Sequence, residues 1–140
     1  MNPATIDNEL RRAVLKAKQA YVLASKFSPD PDGILRPLKD ALRLLYKAMR
    51  ESSLQRGGFP MVYGQLNTAA GNAGYSIQKV DDLKFYKHNP PKYREALKRL
   101  MKGLRYLIRS ITRARMEFRR KKAIDLAVVR GLKKEPRLLG

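Results

Sequence analysis

The sequence predicts an all-α fold, read as a helical bundle with a hinged N-terminal helical arm and a long basic C-terminal helix. Three observations carry this expectation. Apolar residues recur at spacings of three and four along most of the chain, the period of a helix with one buried face. Prolines cluster between those runs or at their starts, where a helix tolerates or ends on them. No stretch alternates with the period of two that a half-buried strand requires.

Thr5 suits an N-cap, and Ile6, Leu10, Val14, Ala17, Tyr21 and Ala24 follow at helical spacing, giving a first helix over 5–27 with Arg11, Arg12, Lys16 and Lys18 off the apolar stripe. SPDPDG, 28–33, stacks two prolines and a glycine, and no helix is expected to continue through it. Residues 1–33 therefore read as an N-terminal helical arm with a Pro/Gly hinge, and 34–140 as the helical body. Pro37 fits the first turn of a second helix running to about residue 53, with Leu38, Ala41, Leu42, Leu45 and Met49 as its stripe.

RGGFP, 56–60, reads as a loop. In MVYGQLNTAAGNAGYS, Val62, Leu66, Ala69 and Ala73 keep helical spacing, although each glycine costs a helix about 1 kcal/mol; a helix is expected over 61–73. Its small residues permit close approach by another helix or by a phosphate backbone. The segment 75–88 reads as a loop with one or two helical turns.

Asn89-Pro90-Pro91 is a cap followed by prolines in the first turn, where their missing N–H groups do no harm. Tyr93, Leu97, Leu100, Leu104, Leu107, Ile111, Ala114 and Phe118 then alternate gaps of four and three, the seam of a long helix. RRKK, 119–122, interrupts the seam, which resumes out of phase at Ile124, Ala127 and Val128 before Gly131 and Pro136. A helix over 91–130 would be about 60 Å long, against a radius of gyration near 14 Å for a compact chain of this size. It must kink near RRKK, or the molecule is elongated and completes its core with another copy or a paralogue.

The chain has 140 residues, enough for one domain, and a formal charge of +19 from 31 basic and 12 acidic residues. Such self-repulsion calls for a polyanion, either a nucleic acid or an anionic membrane surface. No apolar run reaches the ~20 residues that span a bilayer, and the first residues, MNPATIDNELRR, lack the layout of a secretory signal.

Catalytic groups are sparse. There is no cysteine, which excludes disulfides, thiolate metal sites and cysteine nucleophiles. His88, the single histidine, reads as an exposed residue at a helix entry. Asp30 and Asp32 lack the further ligands of a calcium loop, and the adjacent Asp81 and Asp82 suit the cap of a short helix. No catalytic, cofactor-binding or metal-binding residue is expected, and the chain reads as a non-enzyme. The seven tyrosines, 21, 46, 63, 75, 86, 93 and 106, offer stacking surfaces, but most fall where a core needs them.

The strongest functional signal is in residues 92–122, with thirteen Lys or Arg against two Glu. On a wheel of 100° per residue, Arg94, Lys98, Lys102, Arg105, Arg109 and Arg113 fall on one arc beside the apolar seam, a ladder about 28 Å long. Local carboxylates are available only as Glu95 to Arg99 and Glu117 to Lys121. A solvated helix face would serve equally well with mixed signs, so the one-signed ladder points to phosphate binding. Arg119, Arg120, Lys121 and Lys122 extend it, and Arg11, Arg12, Lys16 and Lys18 act from the arm. An almost purely cationic set suits sequence-independent backbone contact, because base readout needs mixed donors and acceptors. Duplex DNA carries one charge per ~1.7 Å, so this excess balances roughly 32 Å of duplex per chain.

The basic amphipathic first helix, TIDNELRRAVLKAKQAYVLASKF, the SPDPDG hinge and the long cationic last helix together resemble, as architecture, the small all-helical major coat proteins of archaeal filamentous viruses, the rudivirus, lipothrixvirus and tristromavirus group. The resemblance implies a virion structural protein, a capsid subunit that wraps double-stranded DNA without sequence preference. It also implies assembly with itself or a paralogous coat protein, in some members beneath an outer lipid envelope. The chain departs from some members in having its strongest ladder near the C-terminus. Two alternatives are a cellular nucleoid or RNA-complex subunit, such as the small helical subunits of CRISPR effectors, which would place it in the cytoplasm or nucleoid, and a peripheral membrane protein.

Overall fold

Four α-helices form the described part of the protein, a computed structural model that describes residues 3–54, 60–129 and 131. They are α1 (Pro3–Ala24), α2 (Pro31–Leu54), α3 (Pro60–Phe85) and α4 (Pro90–Val129). No strand occurs among the described residues. Each helix packs on its two neighbours in the order α1, α2, α3, α4 and back to α1, so that α1 and α3, like α2 and α4, are diagonal partners. This is a closed four-helix bundle.

The core is weighted by size between the diagonals, although α1 also buries Ile6 and Leu10, α3 buries Leu66 and Leu83, and α2 and α4 bury Ala41, Ala48, Ala96 and Ala114. α2 and α4 bury Leu38, Leu44, Leu45, Leu100, Leu104, Leu107, Ile111 and Phe118, whereas α1 and α3 bury Ala13, Ala17, Ala20, Ala24, Ala69 and Ala73. Alanines among bulky residues let helices approach closely without leaving voids. Each fully buried Leu or Phe contributes about 1.5–3 kcal/mol relative to exposure.

α1 is thus one wall of the bundle, where the sequence suggested a hinged arm. Ile6, Leu10, Ala17 and Ala24 of its stripe are buried and Val14 and Tyr21 half-buried, the helix packs on α2 and α4, and residues 25–30 only reverse the chain. The helix begins at Pro3, so Thr5 falls inside its first turn. α2 begins within the expected hinge: Pro31 takes the first helical position, and the Asp30 carboxylate accepts from the Asp32 N–H at 3.2 Å as its cap. Pro37 consequently lies inside α2, not in its first turn.

α3 is a single helix through the segment expected to loosen after residue 73. The reason is tertiary: Ser76, Val80 and Leu83 continue the buried face, and Asp81 and Asp82 lie within the helix, with Lys79 pairing Asp82 at 3.1 Å. α4 and α3 approach closely at Gly103, where an added Cβ would lie 2.8 Å from Ser76 Oγ and 3.0 Å from the Tyr75 ring. Nearby, Asn72 donates to Ser110 Oγ at 2.9 Å.

α4 opens as expected on Asn89, whose carbonyl accepts from the Tyr93 N–H at 2.8 Å. It continues without interruption through RRKK. Burial stops instead: among the described residues Phe118 is the last buried side chain, and the turns after it overrun the core. The elongated bundle accommodates a helix of about 60 Å by letting its end project. Gly131, at φ 69°, donates to the Val128 carbonyl at 3.0 Å, the left-handed ending that glycine permits. The loop expected at 56–60, apart from Pro60, and the basic tail with Pro136 lie outside the described residues.

Candidate nucleic-acid interface

The seam of α4 dictates where its cations go. With Leu100, Leu104, Leu107, Ile111 and Phe118 turned into the core, the arc that carries Arg94, Lys98, Lys102, Arg105, Arg109 and Arg113 is left facing outward, and all six are exposed. None makes an ion pair with a described residue.

Tyrosines hold several of them instead. Lys102 Nζ lies 5.9 Å and Arg109 Cζ 5.8 Å from the Tyr106 ring centre, and Arg105 donates to Tyr21 Oη at 3.5 Å. A ring face or a hydroxyl orients a cation without neutralising it, as a carboxylate would. Two shallow clefts flank the ladder. One of about 260 Å³ is lined by Tyr21, Arg105, Ile108 and Arg109, the other of about 310 Å³ by Asn72, Tyr75, Lys102 and Tyr106 among others. The tyrosines therefore depart from the expected core role: Tyr46, Tyr63, Tyr75 and Tyr106 are exposed, and Tyr21, Tyr86 and Tyr93 half-buried.

The cluster 119–122 differs from the ladder. Arg119 pairs with Asp7 at 3.3 Å, Arg120 with Glu117 and Lys121 with Asp125 at 2.9 Å, which leaves Lys122 without an ion pair among the described residues. Glu117 thus serves Arg120 and not Lys121, while the expected Glu95–Arg99 pair forms at 3.0 Å. Arg115, outside the expected set, holds Asp7 at 3.0 Å. Burial alone would raise the Asp7 pKa, but the Arg115 hydrogen bond and the charges of Arg115, Arg119 and Lys122 outweigh it and hold the carboxyl below 3.8.

The α1 cations separate. Arg11 and Lys18 fall within about 40° of Asp7 on the helix, on the side toward α4, so they flank the ladder. Lys16 pairs with Asp40 of α2 at 3.6 Å, and Arg12 lies within about 40° of it, on the far side. The structure brings Arg11 and Lys18 to the α4 surface and turns Arg12 and Lys16 away from it.

Across the molecule, charge is distributed by helix. Residues 60–78 of α3 contain no Lys, Arg, Asp or Glu, and Met61, Tyr63, Gly64, Asn67, Gly71 and Gln78 lie exposed. α2, by contrast, carries exposed Arg36, Lys39, Arg43, Lys47 and Arg50. That second row escaped the sequence reading because its cations alternate with apolar residues and form no dense run; their spacing of three and four was the available signal. Among the described residues no cluster of three or more metal-ligating side chains occurs, and no helix is long and apolar enough to cross a membrane. Comparison of the chain with protein-family models, with curated proteins and with solved structures gives no match.

Proposed function

We propose that the protein is a structural DNA-packaging protein, a coat subunit of a filamentous virus that wraps double-stranded DNA without sequence specificity. The observation that carries this reading is the outward ladder of six exposed cations on α4, without an ion pair among the described residues. It spans about 28 Å, long enough to follow a duplex backbone for most of a turn. Its cations reach phosphate oxygens, release condensed counterions and read no base edges.

The uncharged outer face of α3 supplies what packaging also needs, a surface on which copies of a chain of +19 approach each other with least repulsion. The peripheral membrane alternative is less favoured, because the apolar face that such a helix would insert into lipid is already used in the core. Electron microscopy of the protein mixed with duplexes of unrelated sequence tests the proposal. Regular filaments on every duplex are expected. A monodisperse monomer whose DNA binding ignores salt would sink it, and selective binding of RNA would favour the RNA-complex alternative.

A further inference from the structure

We infer that α2 carries a second phosphate-binding surface, so that one molecule bridges two segments of duplex. The inference rests on the DNA-packaging reading and adds to it a second site and a crosslinking activity.

Arg36, Lys39, Arg43 and Arg50 are exposed, and none of them makes an ion pair with a described residue. Lys47 stands in the same row and pairs with Glu9 at 3.3 Å. On a wheel the five fall within about 80°, opposite the buried Leu38, Ala41, Leu45 and Ala48, and the row is about 21 Å long. The one carboxylate between 33 and 50, Asp40, is engaged by Lys16 of α1. At the row's start Asp32 is held by Lys84, leaving Arg36 only a longer-range attraction to it. Apart from Lys47, the α2 row thus has the property that marks the α4 ladder: helical spacing of cations without balancing acids.

Position gives it a distinct role. α2 and α4 are diagonal partners that do not pack side by side, so their outward faces point away from each other. A single straight duplex cannot follow both. Axes of adjacent helices lie about 8–10 Å apart, which places the diagonal pair about 13 Å apart and the two cationic surfaces farther. The separation exceeds the Debye length of about 8 Å at physiological salt, so two duplexes held on opposite faces are largely screened from one another. Adjacent turns of one coiled duplex satisfy the same geometry. Arg12, on the α2 side of α1, belongs with this second surface.

A capture assay measures bridging, with one immobilised duplex of about 20 base pairs and a second, fluorescent one of the same length, each longer than either row. Fluorescence anisotropy on the free fluorescent duplex measures single-duplex binding in parallel. The triple variant Arg36→Gln, Arg43→Gln, Arg50→Gln is expected to bind a single duplex within about threefold of wild type while retaining roughly tenfold less of the second duplex. The Arg→Lys triple is expected to bridge like wild type, which separates charge from fold. Unchanged bridging by the Gln triple would overturn the inference and assign bridging to contacts between copies. Absence of anisotropy change for wild type at low salt would instead overturn the packaging reading itself.

Discussion

Glu9 of α1 faces Glu51 of α2 inside the bundle, both buried, with Lys47 Nζ 3.3 Å from Glu9. Burial first, and then the facing Glu51, raise the Glu9 pKa from 4.5 to about 7 against the opposing pull of Lys47. A carboxyl whose folded pKa is raised binds its proton more tightly in the folded state, so stability falls as pH rises from about 4.5 to about 7 and is constant beyond. The cost at pH 8 is up to about 3 kcal/mol. Urea unfolding from pH 5 to pH 8 checks this, and Glu9→Gln should flatten the profile and stabilise the protein at pH 8. Asp7, Asp32 and Glu117, whose pKa values are lowered, act in the opposite sense only below about pH 4.5.

Two glycine-to-alanine substitutions should have opposite signs. Gly103→Ala drives a methyl group into Ser76 Oγ and the Tyr75 ring at the α3–α4 crossing and should cost about 1–3 kcal/mol. Gly71→Ala adds a methyl group to open space on a helix and should stabilise by about 0.5–1 kcal/mol. Denaturant midpoints of the two variants read this out directly.

Asp7→Asn removes the carboxylate that Arg115 and Arg119 share between α1 and α4. The pair is only partly buried, so a loss of about 1 kcal/mol is expected, seen as a lower thermal midpoint. The freed arginines lie on the α4 side of the molecule, so duplex affinity should rise slightly while stability falls.

The number and order of helices were legible in the periodic apolar runs, and so was the outward ladder, because both depend on local spacing. What failed to show was what depends on partners across the bundle. Ser76 and Gly103 look like helix-weakening residues until their mutual contact is seen, and α1 looked detachable because the SPDPDG prolines outweighed a stripe of alanines whose value lies in close packing. The engagement of Arg119 by Asp7, more than one hundred residues away in sequence, has no local signal at all.

The neutral face of α3 should tolerate charge without loss of fold and without loss of DNA binding, but not without loss of assembly. Asn67→Lys with Gln78→Lys places two cations on that exposed face. Duplex affinity should hold or rise slightly, while ordered filaments seen by electron microscopy should give way to dispersed complexes.

Phosphate binding by the α4 ladder is read from the salt dependence of duplex affinity for wild type and for the triple variant Arg105→Gln, Arg109→Gln, Arg113→Gln. Each phosphate contact contributes about 0.9 to the slope of log affinity against log salt. The triple variant should therefore lose about 2–3 from the slope, equally on scrambled duplexes. Parallel lines for variant and wild type, or a loss confined to one sequence, would rule out sequence-independent phosphate binding by the ladder.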